Sequence, residues 1–346
     1  MPVNGKSPPE PATAATVRAL LCYVRATGGE RPGHLLLTMG RAARCNERTS
    51  TGMGYELVRD ETTDAAVRRI ISEQLGAAAE ALQDAGSSRH KAVHDARKAC
   101  KKARAALRLA RGAVGGKAFR RLNTAIRDAQ GGLAGARDSA VIIQSLDKLR
   151  SHSQEELETA GVAAFREHLV ERCRRIEAEQ LNSAEGFEPV VAMLRSAHAE
   201  AGNLSISERG FDVFRPGLRR IYKTGRSMRN DAFQTSETAH EWRKQVKNLW
   251  YSVRLIEPVW PGPLGCLGGE LEDLSERLGD HHDLAVLLHA ATEAELNDDT
   301  VAALKAAVER RHAALERKSV PLGGKIFAER TDCFLDRIET YWAIWV

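Results

Sequence analysis

Between His90 and Arg111 the chain reads HKAVHDARKACKKARAALRLAR, and its basic residues fall at a regular spacing. Arg97, Lys101, Arg104, Arg108 and Arg111 recur at alternating three- and four-residue steps, which stacks side chains along one face of a helix. Lys98 and Lys102 widen the row, and His94 stands one turn ahead of Lys98. A lysine ammonium offers a point charge, whereas an arginine guanidinium forks two oxygens of one oxyanion. A protonated histidine adds another donor. Together they suit a ligand that repeats negative oxygens at short intervals. From Gly86 to Arg127 there are thirteen Lys or Arg residues and one acid, Asp95. Such a block repels itself unless an anion or acidic neighbours compensate it. The competing reading is a solvated helix face paired with nearby carboxylates.

The pattern returns 146 residues later (His94 to His240). Arg97 aligns with Arg243, Lys98 with Lys244, Lys101 with Lys247, and Arg108 with Arg254. One residue out of phase with the cations runs an apolar seam: Val93, Ala96, Cys100, Ala103, Leu107 and Ala110, then Ala239, Trp242, Val246, Leu249, Val253 and Ile256. The copies differ, because Asn248 replaces Lys102 and Trp250 replaces Arg104. A second motif also repeats: Leu133-Ala-Gly-Ala-Arg137-Asp138 and Leu278-Gly-Asp-His-His282-Asp283. Each aspartate is expected where a glycine-containing break re-enters a helix, facing free amides and the positive dipole end, or orienting a basic residue. For His94 and His240, packing against Asp138 or Asp283 competes with ligand contact. The recurrence reads as an internal duplication.

The elements that must hold these residues are helices. Periodicity and breakers place them at Thr62–Asp84, at the first cationic segment, and at Lys117–Gln130, Ser139–Glu158, Val162–Gln180 and Pro189–Glu200. A pivot at Ala201–Gly210 precedes a segment echoing the first helix, with Leu218-Arg219-Arg220-Ile221 answering Val67-Arg68-Arg69-Ile70. Arg68, Arg219, Tyr222, Arg226 and Arg229 on these helices are further candidate contacts. The second cationic helix ends near Pro258, and helices follow at Leu264–Leu278, up to Asn297, at Thr300–Arg317, and from Lys325 onward. No segment alternates with a period of two. The fold class is therefore all-α: two helical bundles related by an internal pseudo-twofold duplication, with halves at about residues 55–205 and 206–346. Residues 1–54, rich in Pro, Ala and Thr at their start, are expected to be disordered or a non-native extension, with Met53 as the native start. N-terminal mass spectrometry of the endogenous protein decides that point.

A formal charge of +5 on 346 residues is modest, so its distribution matters more than its sum. Six scattered cysteines form no C-x-x-C pair, which argues against a zinc site or a disulfide scaffold and for a reducing compartment. No apolar run approaches the roughly 20 residues that span a bilayer. The expectation is a cytoplasmic protein with no membrane span, no cofactor, no metal set and no catalytic set.

The two copies of H-x-x-R-[KR]-x-x-[KR], each followed by the L-x-x-x-[RH]-D segment, resemble the CHAD family, the conserved histidine α-helical domain. The likeness covers residues 55–346. The resemblance implies two helical bundles about a pseudo-twofold axis with a central basic surface. It also implies non-enzymatic binding of inorganic polyphosphate and association with polyphosphate or polyester storage granules. The triphosphate-tunnel enzyme fused to some relatives is marked by E-x-E-x-K, which this chain lacks. The candidate contacts are then His94, Arg97, Lys98, Lys101, Lys102, Arg104, Arg108, His240, Arg243, Lys244, Lys247 and Arg254, joined by Arg68, Arg219, Tyr222, Arg226 and Arg229. Two alternatives stay open. One is a nucleic-acid binder, although aromatics for stacking amount to only 5%. The other is a metal-dependent phosphohydrolase using His94, His240, His281, His282 and Asp283, although no H-x-x-x-H or H-E-x-x-H spacing occurs.

Overall fold

The computed structural model describes residues 54–84, 89–133, 136–181 and 186–346. The expectations for residues 1–53, including the start at Met53, lie outside the described residues. So do the side chains of Arg137 and Asp138.

The described residues are all-α, with twelve helices: α1 (Thr63–Gln83), α2 (Arg89–Leu109), α3 (Gly116–Gly131), α4 (Ala136–His152), α5 (Gln154–Leu157), α6 (Ala160–Leu181), α7 (Glu188–Gly202), α8 (Arg215–Met228), α9 (Ser236–Ile256), α10 (Pro261–Glu293), α11 (Asp298–Ile326) and α12 (Thr331–Trp345). The one β feature among them is an isolated bridge between Val114 and Ile206. No described helix is long and apolar enough to cross a membrane.

The seams read from sequence are the faces that bury. On α2 and just past its end, Ala96, Cys100, Ala103, Leu107 and Ala110 are buried and Val93 partly so, while all six seam residues of α9 are buried. Helix α9 starts cleanly because the Thr235 hydroxyl accepts from the Thr238 amide and Thr238 returns the bond, a reciprocal capping box. Helix α2 packs against α1 and α3, α9 against α8 and α10, and α2 and α9 meet each other. A second crossing between the two regions is tighter. A Cβ on Gly217 of α8 would lie 1.9 Å from the Leu109 carbonyl oxygen of α2, so only glycine admits this approach. Residues ahead of α1 also tie onto α9, with the Leu57 amide donating to the Leu255 carbonyl and the Tyr55 hydroxyl to the Tyr251 carbonyl.

Apolar residues gather in two clusters. The larger draws on α1–α3, α7–α10, the C-terminal end of α11 and α12, so it joins residues from before and after the pivot. The smaller is built from α4–α6, the C-terminal part of α10, and α11. The C-terminal aromatics face inward in part: Trp342 is buried against Phe211 and Phe214, and Trp345 lies against it.

Two expected breaks are absent. Gly279-Asp280-His281-His282-Asp283 lies within α10, a continuous helix of 33 residues, so Asp283 is mid-helix and caps nothing. Helix α11 likewise runs past Arg317 and through Pro321 to Ile326. Both continue because their flanks bury apolar side chains, Leu278 and Leu284 on α10 and Leu315 and Ile326 on α11. A mid-helix glycine costs only about 1 kcal/mol relative to alanine, less than such burial contributes.

Candidate functional site

Helices α2 and α9 each carry a cationic edge beside their buried seam, and the edges approach each other where the helices meet. Near one end Arg108 Nη1 donates to Asn248 Oδ1 at 3.4 Å. Near the other, Lys102 feels the positive charge of Arg254. Adding the 146-residue offset to Lys102 and Arg108 gives positions 248 and 254, so the two approaches exchange under the sequence repeat. Both cations of the second pair lie on aromatic faces, Lys102 Nζ 5.4 Å from the Tyr55 ring centre and Arg254 Cζ 5.3 Å from that of Trp250.

Two further arginines of the α2 edge donate to uncharged groups. Arg97 Nη1 donates to the Leu133 carbonyl at 2.7 Å. Arg104 donates from Nε to Asn123 Oδ1 at 3.2 Å and from Nη1 to Gln130 Oε1 at 2.9 Å, both on α3. Gln130 is itself oriented by donating Nε2–H to the Arg97 carbonyl at 3.4 Å. No carboxylate of the described residues forms an ion pair with Arg104 or Arg108. Burial pushes Arg104 below the usual guanidinium range, helped by the charge of Arg127. Burial, then the charge of Arg104, pushes Arg108 down to about 10. Lys102 is lowered by burial, then by Arg254 and Lys98. Arg108 at about 10 remains cationic at neutral pH. Cationic charge is thus concentrated here against its own repulsion, a state that a bound anion relieves.

The α9 edge is less uniform. Lys244 pairs with Glu241, and Lys247 is half-buried. The Nε of Arg243, Nδ1 of His240 and Nε1 of Trp250 are buried without a hydrogen-bond partner. The rings of His240 and His282 lie 4.3 Å apart. Burial and the charges of Lys244 and Arg243 hold His240 below the ordinary histidine value. Burial, then His240 and Arg243, brings His282 to about 4. On α2, His94 and Lys98 are exposed and Lys101 half-buried. Asp283 faces Arg243 and Lys247 electrostatically, and burial raises its carboxyl above the ordinary range.

The candidates on α1 and α8 have other engagements. Arg68 pairs with Asp64 and donates to the Leu204 carbonyl. Arg219 pairs with Asp332. Arg229 donates to the Phe327 carbonyl at 2.8 Å, and Arg226 has its Nε buried and unpartnered. Tyr222 is fully buried, stacked on Phe334 at 4.1 Å, its hydroxyl donating to the Glu329 carbonyl at 3.2 Å.

His281 and His312 form a separate stacked pair, 3.9 Å between ring centres, with Glu316 at 3.2 Å from His281 Nε2. No group of three or more His, Cys, Asp or Glu among the described residues is arranged to hold a metal ion. The residues that sequence reading did not single out are the amides. Asn123 and Gln130 are seven apart on α3, two turns of one face, beside the buried Leu122, Ile126 and Ala129. That spacing is the signal that could have found them.

Comparison with known proteins bears on the fold and the family. A solved structure, PptA from Streptomyces chartreusis, superposes with a TM-score of 0.57 at 15% identity, covering 78% of this chain and 100% of that one, a likeness of fold. A search of curated proteins gave no match. The CHAD domain family model matches residues 69–292, a span containing both cationic helices and both L-x-x-x-[RH]-D segments, and the chain belongs to the CHAD domain family.

Proposed function

We propose that this protein binds inorganic polyphosphate, without catalysing its turnover, along the paired cationic edges of α2 and α9. The observation that carries the reading is that the half-buried Arg104 and Arg108 are held by amide oxygens, not carboxylates. Three partly buried arginines elsewhere in the fold are instead neutralised by carboxylates: Arg69 by Glu61, Arg166 by Asp147, Arg337 by Glu329. Unpartnered buried donors on α9, Arg243 Nε and His240 Nδ1, add support, because a buried polar group without a partner is costly until a ligand supplies one. The internal duplication belongs to the same proposal: it supplies one edge from each half, and the exchange of the Lys102–Arg254 and Arg108–Asn248 approaches under the repeat supports it. Arg97, Lys98, Lys101, Lys102, Arg104 and Arg108 then form the main contact row. His94, Arg243, Lys244, Lys247, Arg254 and His240 extend it. Association with storage granules in the cytoplasm follows as the setting in which such a ligand is stored.

The test is a titration of the full chain with long-chain polyphosphate, single-stranded RNA and duplex DNA matched in charge, at two salt concentrations. Polyphosphate is expected to bind tightest, with no added metal and with affinity falling steeply in salt as counterions are released. Lys101→Glu with Arg104→Glu is expected to weaken it about a hundredfold, near 3 kcal/mol, with the helical spectrum retained. Equal or tighter RNA binding would favour the nucleic-acid reading, and phosphate release with a divalent metal the hydrolase reading.

A further inference from the structure

Asn123, Gln130 and Asn248 have no place in the contact row, yet each gives a side-chain oxygen to a rail arginine. A guanidinium half-removed from water needs acceptors for its N–H groups, and the acceptor's charge is a choice. A carboxylate satisfies the donors but cancels the cation and competes with an incoming oxyanion for the same hydrogens. An amide oxygen orients the guanidinium, leaves its charge intact, and leaves its remaining N–H groups unclaimed. In this molecule Arg104 and Arg108 take amides, at 2.9 to 3.4 Å, while Arg69, Arg166 and Arg337 take carboxylates.

We infer that Asn123, Gln130 and Asn248 are positioning residues of the anion site, whose neutrality keeps Arg104 and Arg108 fixed in place and fully available to an oxyanion. Asn248 carries this furthest. It stands where the first copy has Lys102, so what reads in sequence as the loss of a cation supplies a clamp for Arg108 on the facing helix. The inference rests on the polyphosphate reading above.

The test converts the clamps to carboxylates of the same shape. Asn123→Asp and Asn248→Asp are compared with Gln83→Glu, in which an exposed amide on α1 accepting from Arg195 at 2.9 Å undergoes the same chemical change outside the rail. Affinity for long-chain polyphosphate is measured over a salt series, alongside thermal melting. Asn123→Asp and Asn248→Asp are each expected to lower affinity at least fivefold and to flatten the log–log salt slope by about 0.7, one phosphate contact on a single-stranded polyanion. Both are expected to melt no lower than the wild type. Gln83→Glu is expected to bind within twofold of wild type with an unchanged slope. If the wild type binds and both Asn123→Asp and Asn248→Asp behave as Gln83→Glu does, the amides are structural and the inference is lost alone. If the wild type does not bind the probe, the function reading fails and takes the inference with it.

Discussion

Tyr222 and His282 illustrate how burial decides what a candidate residue does. The Tyr222 hydroxyl ends against backbone carbonyls inside the fold, and burial raises it to about 12. Tyr222→Phe is expected to cost about 1 kcal/mol of stability, one net buried hydrogen bond, and to leave polyphosphate affinity unchanged in the same titration. The histidine pair bears on pH. His240 and His282 are held neutral in the folded state below the ordinary value of 6.5, His282 as far as about 4, by burial and by Arg243, with Lys244 acting on both and Glu241 and Glu237 opposing at His240. The unfolded chain takes up protons first as pH falls, so these groups contribute stability that is present above about 6.5 and is lost toward 4. A polyanion lying on Arg243 and Lys244 offsets the charges that depress both rings. Binding is therefore expected to take up protons between pH 4 and 6.5 and to tighten as pH drops through that window. Calorimetry in two buffers of different ionisation enthalpy measures the uptake; none would separate the histidines from the ligand.

At the scale of elements, the crossing of α8 over α2 is the least tolerant point. Gly217→Ala places a methyl group into the Leu109 carbonyl. It is expected to destabilise by about 3 kcal/mol, the upper end of overpacking costs, and to lower the melting temperature correspondingly. The cationic helices were legible in sequence because seam and charge row share one helical period, and the buried faces of α2 and α9 fall on the seam residues. The continuity of α10 and α11 was not. Gly279 and Pro321 carry local signals to stop, but the apolar residues beyond them are claimed by distant helices, and that information is absent from any window of neighbours. The amides left only their seven-residue spacing on α3 as a signal, because Asn123 and Gln130 become partners of Arg104 only once α3 is folded against α2.

For the whole molecule, the two hydrophobic clusters look separable on paper, yet α10 contributes to both, through Leu264, Leu271, Leu274 and Leu278 to one and Leu284, Leu287, Ala290 and Ala291 to the other. Phe165→Ala in the smaller cluster removes a fully buried ring and is expected to cost about 3–5 kcal/mol. The loss should appear as a lower midpoint of a single transition seen alike by circular dichroism and by tryptophan fluorescence, although Phe165 is remote in sequence from every tryptophan. Two separate steps would show that the clusters melt independently. Helix α10 makes one step the expectation: at 33 residues it is a rod of about 50 Å whose two halves pack into different clusters. It meets α9 where His282 faces His240 and Asp283 faces Arg243. One rod thus spans both cores and touches the cationic helix, so a loosened smaller cluster is expected to reach that helix through α10 itself.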